Sequence, residues 1–96
     1  MGKNNQQTAK KFYRRNPQYI FHEENDTVYI LDEKHDQIIT LNKTGSLLWK
    51  SLEKKRSKAN LAAVLTDYYN NGPSAFDADI ENFLTRMLKM NLVEYV

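Results

Sequence analysis

The sequence predicts an α+β domain, winged helix-turn-helix-like, with an N-terminal three-stranded antiparallel meander followed by three helices. Three observations carry that expectation. Short runs rich in β-branched and aromatic residues recur from Tyr19 to Leu41. The apolar period then changes from strand-like to helical at Asn42. Beyond that point the large apolar residues recur at i, i+3, i+4 and i+7, the spacing of single buried helix faces.

Tyr19 to Glu23 and Thr27 to Asp32 have strand composition. Glu24-Asn25-Asp26 between them is turn chemistry, because Asn and Asp tolerate left-handed backbone. Glu33 to Asp36 forms a second polar turn, so the third strand, Gln37 to Leu41, lies at an edge of the meander. Asn42 is placed to cap the first helix, with Leu41 stapled against its first turn and Leu48, Trp49 and Leu52 on its buried side. Ser57 caps a second helix carrying Leu61, Val64, Leu65 and Tyr68. That helix ends at Asn70 to Ser74, where Gly72 suits a left-handed cap and Pro73 forbids continuation. A third helix runs from Phe76 or Asp77 to Met90, burying Ile80, Phe83, Leu84, Met87 and Leu88, with Asp77 and Asp79 favoured by the dipole at its start. Leu92 to Val96 reads as a short extended terminus. Residues 1–18, polar and basic through Lys3, Lys10, Lys11, Arg14 and Arg15, read as a flexible arm, leaving residues 19–96 as the folded domain.

A chain of 96 residues has room for one core, which buries about 60–65% of the surface of the unfolded chain. A hydrophobic fraction of 41% with 27% charged residues is ordinary for a globular domain, and a net charge of +2 does not indicate nucleic acid. Without cysteine the chain has no disulfide, thiolate nucleophile or sulfur metal ligand, in keeping with a cytoplasmic location. No apolar run is long enough to cross a bilayer, so no membrane partner is expected. His22 and His35 are the only histidines and stand at no metal-ligand spacing; the three glycines are too dispersed to cradle a phosphate. Neither a metal, a cofactor nor a catalytic role is therefore expected. Asp77 and Asp79, two apart on a helix, point away from each other and do not form an acid–base pair.

What remains is a binding surface, and three readings stay open. A DNA-binding winged helix would use the second or third helix; the third offers Asn82, Arg86 and Lys89, but Asp77, Asp79 and Glu81 crowd the turns where base contacts are made. A small assembly subunit would form constitutive oligomers. The third reading is a peptide receptor: Gln37 to Leu41 carries none of the lysines, prolines or inward charges that blunt an edge strand, so it can accept an extended peptide as a fourth strand. On that reading Ile39→Pro would delete a strand donor.

The stretch Leu41-Asn42-Lys43-Thr44-Gly45-Ser46-Leu47-Leu48-Trp49-Lys50-Ser51-Leu52 resembles the LNxTGxxIWxxL signature of the PqqD family, the pyrroloquinoline-quinone synthesis protein D group. The similarity continues through Leu61 to Tyr69 and Asp79 to Val93, departing at Asn91, where the family often has Gly, and in the more basic loop Glu53 to Ser57. The resemblance implies a non-catalytic recognition element for ribosomally made, post-translationally modified peptides, which binds a precursor's leader region. The leader would add to the third strand, Gln37, Ile38, Ile39, Thr40 and Leu41, and lie against Asp79, Asn82, Phe83, Arg86 and Met90 of the third helix. Phe83 with Met87 or Met90 would floor an apolar pocket, and Arg86 would pair with a leader carboxylate. Trp49 is assigned to the core. A free-standing copy with a basic arm resembles the lasso-peptide type, which serves a separate leader peptidase and cyclase; partners of radical-SAM peptide modifiers are similar.

Overall fold

The computed structural model describes residues 11–96. Its organising junction is Asn42, where the third meander strand runs straight into a helix. The Asn42 side chain accepts the Gly45 N–H at 2.7 Å and so caps helix α1, Lys43–Ser51. The meander before it consists of β2 (Phe21–Glu24), β3 (Thr27–Asp32) and β4 (Gln37–Thr40), antiparallel in the order β2-β3-β4. Its first turn places both Asn25 and Asp26 at positive φ, the backbone of a tight hairpin whose twist matches the strands. A single 3₁₀ turn, Glu33–His35, and Asp36 at φ 52° make the second connection.

Helix α2, Lys58–Tyr69, starts in a capping box of Ser57 and Asn60. It ends at Asn70, which takes the left-handed conformation at φ 60°. The sequence points to Gly72 as the left-handed cap, but Asn70 performs that role two residues earlier and Gly72 stays at φ −67°. After a 3₁₀ turn over Pro73–Phe76, helix α3 spans Asp77–Lys89. Asn91 then adopts φ 62°, so an asparagine supplies the left-handed stop for which the family often has glycine.

The core lies between the inner face of the meander and the three helices. Val28, Ile30, Ile39 and Leu41 meet Leu48, Trp49 and Leu52 of the α1 region, Leu61 and Leu65 of α2, and Ile80, Leu84 and Met87 of α3. Trp49 is fully buried and meets Phe21 edge-on at 5.8 Å, as its core assignment required. Buried Ser46 ties sheet to helix: its Oγ accepts the Val28 N–H at 2.9 Å and donates to the Leu41 carbonyl at 3.4 Å.

The expected flexible arm through Gln18 is not what the structure shows in its later part. Tyr13–Arg15 form a strand, β1, antiparallel to the terminal strand β5, Val93–Tyr95. Residues 1–10 lie outside the described residues. The physical reason is Arg15, which looks like a solvated charge in the sequence. It donates to the Trp49 carbonyl at 3.1 Å, and its guanidinium covers the Phe21 ring at 4.6 Å and the Trp49 ring at 5.8 Å. Tyr13 is buried, and exchanges backbone hydrogen bonds with Arg56 at 2.8 Å in each direction. β1 thereby closes the base of the core beneath α1.

Candidate functional site

β4 is an outer strand of the meander, and among the described residues no strand pairs with its far side. Which backbone groups are left open follows from the register. The Leu41 N–H donates to the Val28 carbonyl at 2.9 Å, and Ile30 stands opposite Ile39 and Asp32 opposite Gln37. Hydrogen-bonded pairs alternate in an antiparallel ladder, so Gln37, Ile39 and Leu41 face β3 while Ile38 and Thr40 turn their N–H and C=O groups outward. The side chains follow the same phase. Ile39 and Leu41 are buried on the inner face, and Ile38 and Thr40 are exposed. Ile39→Pro would therefore break the bond to β3 rather than the open edge; the edge donors belong to Ile38 and Thr40.

Beside this edge is a cleft of about 360 Å³. Thr40, Leu41, Asn42, Thr44, Gly45 and Leu48 form the wall made by the strand–helix junction, and Asp79, Asn82, Phe83 and Arg86 form the wall made by α3. Leu41 and Leu48 are buried beneath the cleft and half-buried Phe83 supplies its accessible apolar floor, whereas Asp79, Asn82 and Arg86 are exposed at the rim. A Cβ at Gly45 would stand 3.1 Å from Asn42 Oδ1 and 3.6 Å from Phe83 Cδ1. The close approach is to the cap: a side chain would crowd Asn42 Oδ1, whereas Phe83 would meet it only in ordinary van der Waals contact. Thr44 Oγ1 is 3.3 Å from the Tyr69 hydroxyl, which fixes that wall to α2.

The start of β4 is anchored from beneath. Asp32 is buried and accepts Gln37 Nε2 at 3.0 Å, with His35 Nδ1 at 2.8 Å. Hydrogen bonds from Gln37 and then His35 hold its carboxyl below the usual aspartate range, against the opposing effect of burial.

Of the residues expected at the site, Thr40, Leu41, Asp79, Asn82, Phe83 and Arg86 meet at the cleft. Gln37, Ile38 and Ile39 belong to the strand edge outside its walls. Met90 does not line the cleft: it lies just beyond α3, half-buried against the core, and Met87 is fully buried within it. Asn42, Thr44 and Gly45, which the sequence marks only as a cap and as part of the signature, form one wall; helical spacing puts Thr44 on the same side as Leu41 and Leu48, and that is the signal for it.

The family described as coenzyme PQQ synthesis protein D (PqqD) matches residues 27–93, from the first residue of β3 into β5. The chain belongs to the PqqD family. Its fold is similar to that of TbiB1, solved in complex with the TbiA(beta) leader peptide, with a TM-score of 0.73 and 21% identity over 84% of this chain and 94% of that one. No curated protein matches the chain significantly. The PqqD signature now has a physical meaning here. Leu41, Leu48, Trp49 and Leu52 build the core, Asn42 caps α1, Thr44 reaches Tyr69, and Gly45 leaves room for the Asn42 cap oxygen. Among the described residues no group of three His or acidic side chains is placed to hold a metal, and no helix is long and apolar enough to cross a membrane.

Proposed function

We propose that this chain is a non-catalytic recognition element that binds the leader region of a ribosomally made precursor peptide. The leader adds as a strand to β4, and the domain then presents the precursor to a separate enzyme. The observation that carries this reading is the pair of outward-facing residues, Ile38 and Thr40, on an edge that runs beside an apolar-floored cleft. Backbone pairing supplies hold on any sequence, and side chains entering the cleft supply choice. Membership of the PqqD family and a fold shared with a protein solved on a leader peptide support it.

In an added strand, the residues opposite Ile39 and Leu41 point inward. They meet the Phe83 ring, which is backed by buried Leu41 and Leu48, while Arg86 and Asp79 on the rim select for charge. Gln37 to Leu41 with Asp79, Asn82, Phe83 and Arg86 constitute the binding site, and Met90 supports it from the core. The architecture is that of a winged helix-turn-helix whose sheet has moved to the N-terminus and whose third helix guards a peptide rather than entering a DNA groove. The partners are a cytoplasmic precursor and a leader peptidase with its cyclase, of the lasso type, or a radical-SAM modifier.

The test is titration calorimetry of the protein with the leader of a precursor encoded beside its gene. Saturable binding, weakened at least about tenfold by Thr40→Pro in a protein that keeps its circular dichroism, is the expected result. Full affinity in that variant would refute strand addition.

A further inference from the structure

The outer face of the meander carries an apolar row that the core does not use. Ile20 is 65% exposed, Leu31 37% and Ile38 63%. They are aligned across the strands, because Leu31 stands opposite Ile38 and its N–H donates to the Ile20 carbonyl at 2.9 Å. The neighbouring row on the same face, His22, Tyr29 and Thr40, is more polar. Each row ends at β4, and the apolar one ends at Ile38, a residue whose N–H and C=O point away from the sheet.

Resting on the strand-addition reading above, we propose that Ile38 is a specificity-determining residue, which selects an apolar side chain at the one peptide position paired with it on the outer face. A strand bonded to Ile38 must place one residue directly beside it, with Cβ atoms about 5 Å apart. An apolar side chain there extends the Ile20, Leu31, Ile38 row by one member and removes water from Ile38, whereas a charged one leaves that surface wet. The outward position two residues along falls beside Thr40 and Tyr29 and is under no such demand. The peptide is thus read on both faces: inward residues by the cleft, and a single outward residue by Ile38. The row's occupant is the added strand because the row terminates at the open edge. A second copy of this chain is the competing occupant.

The experiment is selection of a displayed random dodecapeptide library on the wild type and on Ile38→Lys, whose side chain stands in solvent and leaves the core untouched. Wild-type protein should enrich an apolar residue at one position of a strand-like pattern, and Ile38→Lys should enrich Asp or Glu at that position alone. A wild-type peptide should lose about two- to fivefold in affinity for Ile38→Lys and regain it when that residue becomes acidic. Enriched peptides with the same preference on both proteins would overturn the role of Ile38 and leave strand addition standing. Failure of the wild type to enrich any peptide would overturn strand addition and this inference with it, and enrichment on the wild type alone, with none on Ile38→Lys, would overturn the paired exchange of charge at Ile38. Sedimentation of the free chain completes the test. A dimer dispersed by Ile38→Lys would assign the row to a second copy and overturn the proposal, and a monomer supports it.

Discussion

β2 and β4 flank the same central strand, and each turns the backbone of two residues away from it. On β4 these are Ile38 and Thr40. On β2 they are Phe21 and Glu23, because the Leu31 N–H bonds to Ile20 and the hydrogen-bonded pairs alternate from there. The side chains differ. β2 carries His22, Glu23 and Glu24, all exposed, and the Glu23 carboxylate is 2.7 Å from Lys50 Nζ on α1. β4 carries Gln37, Ile38, Ile39 and Thr40, without a charge. Charge crowded on an edge deters a visiting strand, and its absence invites one. On the function proposed above, one sheet therefore has a guarded margin and a receptive one, and the receptive margin is the one beside the cleft floored by Phe83.

Proline separates the two most sharply. Thr40→Pro deletes an outward donor that β3 does not use, so the melting temperature should hardly change while leader affinity falls at least about tenfold, the worth of a lost hydrogen bond and the steric block that replaces it. Glu23→Pro deletes the corresponding donor on β2 and should leave affinity unchanged. Calorimetry and thermal melts on the two variants read both quantities. Equal losses would mean that the edges are not functionally distinct.

Much of this contrast is legible in the sequence, since the bare composition of Gln37 to Leu41 and the cap at Asn42 place an unguarded strand against a helix start. The phase of the hydrogen bonds is not. Whether Ile39 or Ile38 and Thr40 face outward depends on pairing register, and that is set by the Leu41 to Val28 bond and by the Ser46 hydroxyl lodged between those strands. β1 was hidden for another reason. Its anchoring residue is a cation whose stem and guanidinium lie on Phe21 and Trp49, and hydropathy cannot register such packing. Helical periodicity carries Met90 onto the cleft side of α3, but the helix ends at Lys89 and Met90 packs against the core outside the cleft lining.

Ser46 offers the next test, since it secures the receptive side only. Ser46→Ala leaves the buried Val28 N–H without its acceptor and should cost about 1–3 kcal/mol of stability in denaturant titration. Hydrogen exchange should quicken at Val28 and Leu41 more than in β2. A uniform rise across the meander would show that Ser46 supports the whole sheet. At the rim the effects are smaller. Arg86→Gln should weaken binding of an acidic leader about two- to fivefold, and the difference should shrink in high salt, as expected of an exposed ion pair. Asp79→Asn should strengthen binding of the same peptide.

The smallest effect concerns the anchor of β4. Hydrogen bonds from Gln37 and His35 lower the Asp32 pKa from its ordinary 3.8, so the folded state favours the ionised carboxylate. The sign follows from linkage: this contribution is complete above the unfolded value near 3.8 and is lost as pH falls through the lower folded value. Asp32→Asn should therefore be less stable than wild type at pH 7, and the gap should narrow in denaturant titrations carried to about pH 3. Because Asp32 holds the side chain of Gln37, the first residue of β4, the variant should also bind leader slightly less well at neutral pH. A stability gap of the same size at both pH values would show that Asp32 acts by packing rather than by its charge. In that case the receptive edge would owe its position to Ser46 and the Asn42 cap alone.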